Sequence, residues 1–492
     1  MRTLVYLFLL VASCLAAQAS ASDPPQPLAT RGARYEPAQF ADLPDWQEDD
    51  PRAAVLAFRR GCEVVGRRAS FRRACDAVRP FKPADAMEAR AFFEANFAVF
   101  RVFDRGRVSG GESGLLTGYF EPLLLGSLVK TPRFRYPLYA IPDDLLYLDL
   151  REPPTVPDAA RDATVASIAS IASIGTTASI ATVARFAQRQ GVELTMVPAG
   201  AEPFGLAGSD YYELALPLRL LGSRSSRTRV RAEGHEIVPY FSRAEIDQLA
   251  LDARVIAWVD HPVAVYVLHV QGSGRVRLPN GRIVRIGYAE QNGHPFIPKK
   301  IPSDHPIAKA QLELLVAAAQ AAGQMPRGAR AARLAPPDSV ELRYAQTIAV
   351  GEDPSYIFFR ELPDNLVGPI GALGVPLTAE RSIAVDPRSV PLGVPVFVAA
   401  TRTLNGERLN RLAIAQDVGG AIRGPVRADF FWGFGAQAGL AAMRTPESLT
   451  KWVLLPNGFL PSRPLLVRQP RGPARLVERE CVLADDAFCT ES

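Results

Sequence analysis

Histidine and cysteine are scarce: the 492 residues hold five of each, dispersed, with no CxxC pair and no Cys/His spacing suited to a metal. That argues against a structural metal centre. A clustered basic surface is missing too. The net charge is only +5, the arginines are scattered, and no basic stretch is interleaved with aromatics, which excludes a nucleic-acid-binding class. Long apolar runs are almost absent. Residues 163–184 form a 22-residue uncharged stretch built on an Ile-Ala-Ser triplet, but four serines and four threonines make it too polar for a membrane span. It reads as a repeat-expanded surface insertion. What is present is ordinary for a globular chain, 48% apolar and 22% charged residues, long enough for two or three domains.

The N-terminus carries an address. Arg2 precedes an apolar run from Leu4 to Ala12, then small residues ending Ala19-Ser20-Ala21, the three-part pattern of a secretory signal peptide over residues 1–21. Val11-Ala12-Ser13-Cys14 also fits a loose lipobox, so ordinary cleavage and lipidation at Cys14 both remain open. Export gives Cys62, Cys75, Cys481 and Cys489 an oxidising compartment. Local pairing, Cys62–Cys75 and Cys481–Cys489, is the expected one of three connectivities.

Along the chain, Asp50-Pro51 followed by Val55, Phe58, Cys62 and Val65 predicts a helix. A second is expected over 83–102, with Met87, Phe93, Phe97 and Phe100 on one face. From Leu115 short apolar runs broken by Gly, Pro and Asn predict β structure. Val263 to Val270 reads as a buried strand, and residues 275–286 as a hairpin turning through a type I′ turn at Asn280-Gly281. Arg224, Arg227, Arg229 and Arg231 read as a solvated loop. Residues 307–322 predict an amphipathic helix stopped by Gly323 and Pro326, followed by a linker. From Tyr356 to Leu455 dense glycine and proline predict a compact barrel, and beyond Pro456 an irregular Pro/Arg-rich tail over 457–492.

The chemistry concentrates in Gln416-Asp417-Val418-Gly419-Gly420, continued by Arg427-Ala428-Asp429-Phe430-Phe431-Trp432-Gly433. An aspartate walled by aromatics loses solvation, its pKa rises, and it becomes an acid able to protonate a leaving oxygen. An aspartic protease does not fit: Val418 replaces the required hydroxyl residue, and no second Asp-Thr/Ser-Gly occurs.

Five blocks in order resemble the membrane-bound lytic murein transglycosylase A (MltA) family: Leu116-Thr117-Gly118-Tyr119-Phe120-Glu121-Pro122, His269-Val270-Gln271-Gly272-Ser273-Gly274, Gly287-Tyr288-Ala289-Glu290-Gln291-Asn292-Gly293-His294, Pro354-Ser355-Tyr356-Ile357-Phe358-Phe359, and the Asp417 to Gly433 block preceded by Ser382-Ile383-Ala384-Val385-Asp386-Pro387. The resemblance implies a mainly β protein with N-terminal helices. A double-psi β-barrel domain, built from about 45–115 and 341–456, would carry a smaller inserted β-barrel, about 116–340, containing the 151–190 insertion, with a groove between the two. It implies cleavage of the β-1,4 bond between N-acetylmuramic acid and N-acetylglucosamine in peptidoglycan, with 1,6-anhydromuramic ends. Asp429 would be the catalytic acid and base, with Asp417 a companion acid. Gln271, Ser273, Tyr119, Glu121, Tyr288, Asn292 and Asp386 would contact sugar, while His294 reads as a structural hydrogen-bonder. No cofactor is implied. The partners expected are glycan strands and cell-wall synthesis proteins, in the periplasm, with an outer-membrane lipid anchor at Cys14 if the lipobox rather than ordinary cleavage is used. Departures stand at Glu290, where the family has glycine, at Asp353, where it has asparagine, and across residues 295–300. Two alternatives stay open: a hydrolase using Asp417 and Asp429, and a non-catalytic peptidoglycan-binding scaffold.

Overall fold

The computed structural model describes residues 27–148, 228–297 and 353–457 apart from short gaps at 31, 108–110, 235, 365, 402–405, 407 and 446–447, together with the isolated strands Ala181–Ala184, Leu194–Met196, Tyr211–Leu214, Leu465–Val467 and Arg475–Val477. The 307–322 helix, the leader with Cys14 and the Cys481–Cys489 pair lie outside them.

Two helices, Arg52–Val65 and Ala69–Val78, follow the N-terminal strand Ala33–Ala38. Val55, Phe58, Cys62 and Val65 are all buried, as their spacing predicts. The second of these helices went unread. Cys62 and Cys75 join the two in a disulfide, their Cα atoms 5.4 Å apart. A third helix, Ala86–Asn96, is capped by Asp85, whose carboxylate accepts from Glu88 N at 2.9 Å.

The third helix stops at Asn96 instead of running to 102. Residues Phe97–Asp104 form a strand: Phe97 and Val99 are buried on one face, Phe100 and Val102 on the other, and the segment pairs with strands on both sides. Met87 is therefore exposed.

Six strands close into a barrel: Ser448–Pro456, Pro395–Thr401, Arg408–Asp417, Ser382–Val385, Arg427–Phe434 and Gly114–Glu121, the last hydrogen-bonded back to the first. Two of the contacts are parallel, Ser382–Val385 with Arg408–Asp417 and Arg427–Phe434 with Gly114–Glu121. The strands Phe97–Asp104 and Ala33–Ala38 extend the sheet outward from Ser448–Pro456, and the helices pack on it in one continuous core. A buried ion pair ties the N-terminal segment to this barrel: Arg381 Nη2 and Nη1 bind Asp49 Oδ1 and Oδ2 at 2.8 and 3.0 Å. The strand Gly114–Glu121 thus belongs to the barrel, and the inserted sheet starts after it.

That second sheet orders Ile357–Leu362, Ile283–Gln291, Ser273–Arg277, Leu123–Ser127, Val255–Val259 and Tyr136–Tyr139. All six strands send side chains into one core, among them Leu124, Leu138, Ile256, Val276, Ile286 and Phe359. Residues expected as a strand, Val263 to Val270, are instead the helix Pro262–Gln271. Proline at its start and Gly272 in the left-handed conformation at its end bracket one buried helix, which an apolar run alone does not distinguish from a strand. The hairpin is present, but its turn is not type I′. Gly281 N donates to Leu278 O and Leu278 N to Arg282 O, and only Gly281 has positive φ. That is a three-residue loop with proline pre-set at its second turn position.

Arg229 and Arg231 lie on the strand Thr228–Glu233, not in a loop; Arg229 binds the buried Glu290 at 2.8 Å. Glu290 thus supplies a local ion pair where the family has glycine. Ala181–Ala184, the end of the Ile-Ala-Ser stretch, pairs in a third sheet with Leu194–Met196 and Tyr211–Leu214. Leu465–Val467 pairs with Arg475–Val477 in the tail read as irregular.

Candidate functional site

Strand parity assembles the site. On Arg427–Phe434, Ala428 and Phe430 point into the barrel core, so Asp429 and Phe431 point to the opposite face. The aromatic wall expected around Asp429 is therefore only partly formed. Phe430 and Trp432 meet edge to face on the far side, and Phe431 alone shares the aspartate's face. The neighbouring strand supplies the rest: Thr117 lies opposite Asp429 and Tyr119 opposite Phe431. Gly118 between them makes this possible from behind. A Cβ there would meet Thr445 Oγ1 at 2.2 Å and Ala442 at 2.7 Å, so the helix Gly435–Met443 and the turn after it press on bare backbone.

On the other side, Ala384 is the register partner of both Asp429 and Asp417. The two carboxylates thus spring from strands that flank Ala384, about 9.5 Å apart at Cα by strand spacing. Tyr119, Leu377, Ala384, Ile422 and Phe431 form a small apolar floor between them.

The two acids differ in how they are held. Asp417 has both oxygens engaged: Oδ1 accepts from Ala372 N at 2.9 Å and Val418 N at 3.0 Å, and Oδ2 from the Tyr119 hydroxyl at 3.0 Å. Burial pushes its pKa up to about 6 against those donors, helped by the charge of Asp429. Asp429 accepts one bond among the described residues, from Thr117 Oγ1 to Oδ1 at 2.6 Å. Thr117 Oγ1 itself accepts from Arg427 Nη2 at 2.9 Å, which leaves the hydroxyl hydrogen free to point only at Asp429. Burial raises the Asp429 pKa as well, opposed by the Thr117 hydrogen bond and the Arg427 charge.

Asp386 has a different task. It is 1% exposed, binds Arg388 Nη2 at 2.7 Å, and accepts from Gly424 N at 2.8 Å, so it pins the loop between the two catalytic candidates. Burial disfavours its charge, but Arg388 and the Gly424 and Arg388 backbone donors hold its pKa below the ordinary value.

Two more of the expected sugar contacts are spent on the protein itself. Glu121 is 1% exposed and bridges Arg275 and Arg285 at 2.8 and 3.6 Å. Asn292 is buried, its amide donating to Phe241 O and Pro354 O and its Oδ1 accepting from Tyr356 N. For a polar residue beside glycine, sequence alone does not separate a ligand contact from a backbone organiser. Gln271 Oε1 accepts from Phe120 N at 2.8 Å, and Ser273 is mostly buried in the adjoining strand. Tyr288 is 44% exposed, its hydroxyl donating to Glu290 Oε1 at 3.3 Å. His294 binds Tyr240 O, the structural role expected of it. Asp353 likewise organises its turn, accepting from Tyr266, Ser355 and Ile297.

Thr117 and Arg427 lie inside quoted blocks but carried no assigned role, and no local signal marks either one. Among the described residues no group of three His, Cys, Asp or Glu is placed to hold a metal.

The family model described as the MltA specific insert domain matches residues 115–197 and 187–314, and the one described as the 3D domain matches residues 381–455. Membrane-bound lytic murein transglycosylase A of Escherichia coli strain K12 is 28% identical over 222 residues, 43% of this chain and 55% of that protein. The chain's match thus spans about half the length of that curated relative. The crystal structure of MltA from Neisseria gonorrhoeae is similar at 30% identity with a TM-score of 0.61, over 89% of this chain and 95% of that one. A membrane-bound lytic murein transglycosylase from Agrobacterium tumefaciens follows at 26% and 0.53, over 86% of this chain and 97% of its own. With nearly the whole of the Neisseria protein covered at that identity, the chain belongs to the MltA family.

Proposed function

We propose that this chain is a peptidoglycan lytic transglycosylase, cleaving the β-1,4 bond between N-acetylmuramic acid and N-acetylglucosamine and leaving 1,6-anhydromuramic ends in the periplasm. One observation carries the reading. Asp429 has Oδ1 taken by a hydroxyl whose orientation Arg427 fixes, while Oδ2 has no partner among the described residues. A protonated Asp429 therefore presents its acidic hydrogen on Oδ2.

Asp429 gives that proton to the glycosidic oxygen as the bond to muramic C1 breaks. The ring becomes oxocarbenium-like. The new carboxylate then takes the proton of the same sugar's C6 hydroxyl, O6 bonds to C1, and Asp429 returns protonated. No water is consumed. Because the nucleophile belongs to the substrate, one carboxylate serves both steps, and the intramolecular attack has an effective molarity on the order of 10⁵ M or more. Thr117 and Arg427 stabilise the carboxylate between the steps. Asp417, held by three donors, orients Tyr119 on the floor of the site.

A second reading, inverting hydrolysis, draws on the two carboxylates flanking Ala384, with Asp417 activating a water. The product decides between them. Sacculi digested with the mature chain and read by mass spectrometry should release muropeptides lighter by one water than reducing-end products. Reducing ends would make the chain a hydrolase. Binding without release would leave the scaffold reading.

The Thr117 bond makes a separate prediction. Thr117→Val removes a hydrogen bond to a charged group, about 1.5–3 kcal/mol, so the turnover rate should fall roughly 10- to 100-fold. Losing a donor to the carboxylate raises the Asp429 pKa further, so the alkaline limb of kcat/KM should move to higher pH. Thr117→Ser should restore both. An unmoved pH profile in Thr117→Val would show that the hydroxyl does not act through Asp429.

A further inference from the structure

In the inserted sheet the strand Leu123–Ser127 leads into a loop, residues 128–135, that crosses past Val255–Val259 to reach Tyr136–Tyr139, and the catalytic site does not use it. Along Leu123–Ser127 the side chains alternate: Leu124 enters the core, while Leu123 and Leu125 are more than a third exposed on the outer face. Register places Trp258 opposite Ser127 and Arg277 opposite Leu125 on that same face. The chain then turns through Leu128 and Val129, 54% and 69% exposed. Both lie just past the last residue of the strand, at its tip.

The turn is built, not loose. Thr131 N donates to Phe134 O, and Phe134 N donates to Thr131 Oγ1, both at 3.0 Å. Cations surround the apolar tip. Lys130 Nζ sits 5.1 Å from the Trp258 ring centre, Arg133 lies 5.0 Å over Phe134, and Arg135 5.2 Å over Tyr136. Among the described residues the one carboxylate paired with them is Asp260, 3.3 Å from Arg133.

A glycan strand gains little from branched aliphatic tips, because sugars are polar on every edge. A bilayer gains on both counts: the tip enters the headgroup region, the aromatics lie at the interface, and lysine and arginine meet phosphates. We propose that this strand and the loop after it, residues 123–136, form a membrane-surface docking element for anionic phospholipid, independent of any lipid on Cys14.

The test is cosedimentation of the mature chain, freed of its leader, with phosphatidylcholine vesicles with and without phosphatidylglycerol. Binding should require phosphatidylglycerol and weaken with salt. Leu128→Ser with Val129→Ser should weaken it at least about tenfold, from the apolar burial lost. Lys130→Glu with Arg133→Glu should also weaken it about tenfold or more, at roughly 1 kcal/mol per charge. Both variants change exposed side chains, so thermal unfolding should be unchanged and activity on soluble glycan fragments retained. The assignment is overturned if the parent ignores anionic vesicles, or if the tip variants bind them as the parent does. Retained vesicle binding with lost capture of sacculi would overturn it too and assign the loop to the cell-wall polymer.

Discussion

Asp429→Asn should lower the release of anhydromuropeptides by roughly 10²- to 10⁴-fold, the usual contribution of one acid–base group. The variant should not lose stability. Its amide oxygen still accepts from Thr117, and burial already disfavours the native carboxylate, as its raised pKa records. A carboxyl raised in the fold loses stability as pH climbs through its folded pKa, so an uncharged amide removes a penalty present at neutral pH. The variant should therefore unfold at the parent's temperature or above it. Asp417→Asn should cost less activity, because the amide oxygen keeps an acceptor for Ala372 and Val418. Initial rates on sacculi at matched folded concentration check all of this. A greater loss in Asp417→Asn than in Asp429→Asn would exchange the two roles.

The second large effect concerns Lys451, which carries no exposed surface at all on the strand Ser448–Pro456. Among the described residues its ammonium has one acceptor, the Arg427 carbonyl at 3.2 Å, with the buried Asp386 as its attractive neighbour. Burial pushes its pKa down to about 7 from 10.5. Below about 7 the folded chain carries this charge at a cost. Between 7 and 10.5 the unfolded chain binds a proton that the folded one does not, so stability from this group rises with pH across that window. Lys451→Met should thus stabilise the barrel by about 1–4 kcal/mol near pH 6, the range for replacing a buried ion by a packed apolar residue. The gain should shrink toward pH 10. Urea unfolding at both pH values tests this, and a variant less stable than the parent at pH 6 would show that the ammonium is fully compensated in the fold.

Legibility in the sequence followed the range over which each feature is encoded. The helix Arg52–Val65 is local: its buried positions recur every three to four residues and nothing competes. Phe93, Phe97 and Phe100 satisfy the same spacing, yet Phe97 onward is strand, because pairing with residues some 60 positions earlier and 350 later overrides it. The helix Pro262–Gln271 was misread for lack of polar residues to set a period, although Pro262 and Gly272 did mark its ends. The site divides in the same way. The glycine-rich aspartate block is local and was found directly, and the family resemblance ranked Asp429 over Asp417. The geometry that separates the two acids, one with an oxygen unpartnered among the described residues and the other tied by three donors, depends on Ala372, Tyr119 and Thr117, which come from distant parts of the chain.

The Thr117–Asp429 bond spans 312 residues, and the barrel closes only when Ser448–Pro456 reaches Gly114–Glu121. Such long-range closure makes folding slow and late, since loop entropy is lost before any contact rewards it. A chain emerging from its N-terminus brings out Thr117 early, then the whole insertion, and only at the end the strand that completes the wall. For a chain proposed to cut the wall around its own cell, the topology is a timer: Thr117 waits 312 residues for Asp429, the proposed acid.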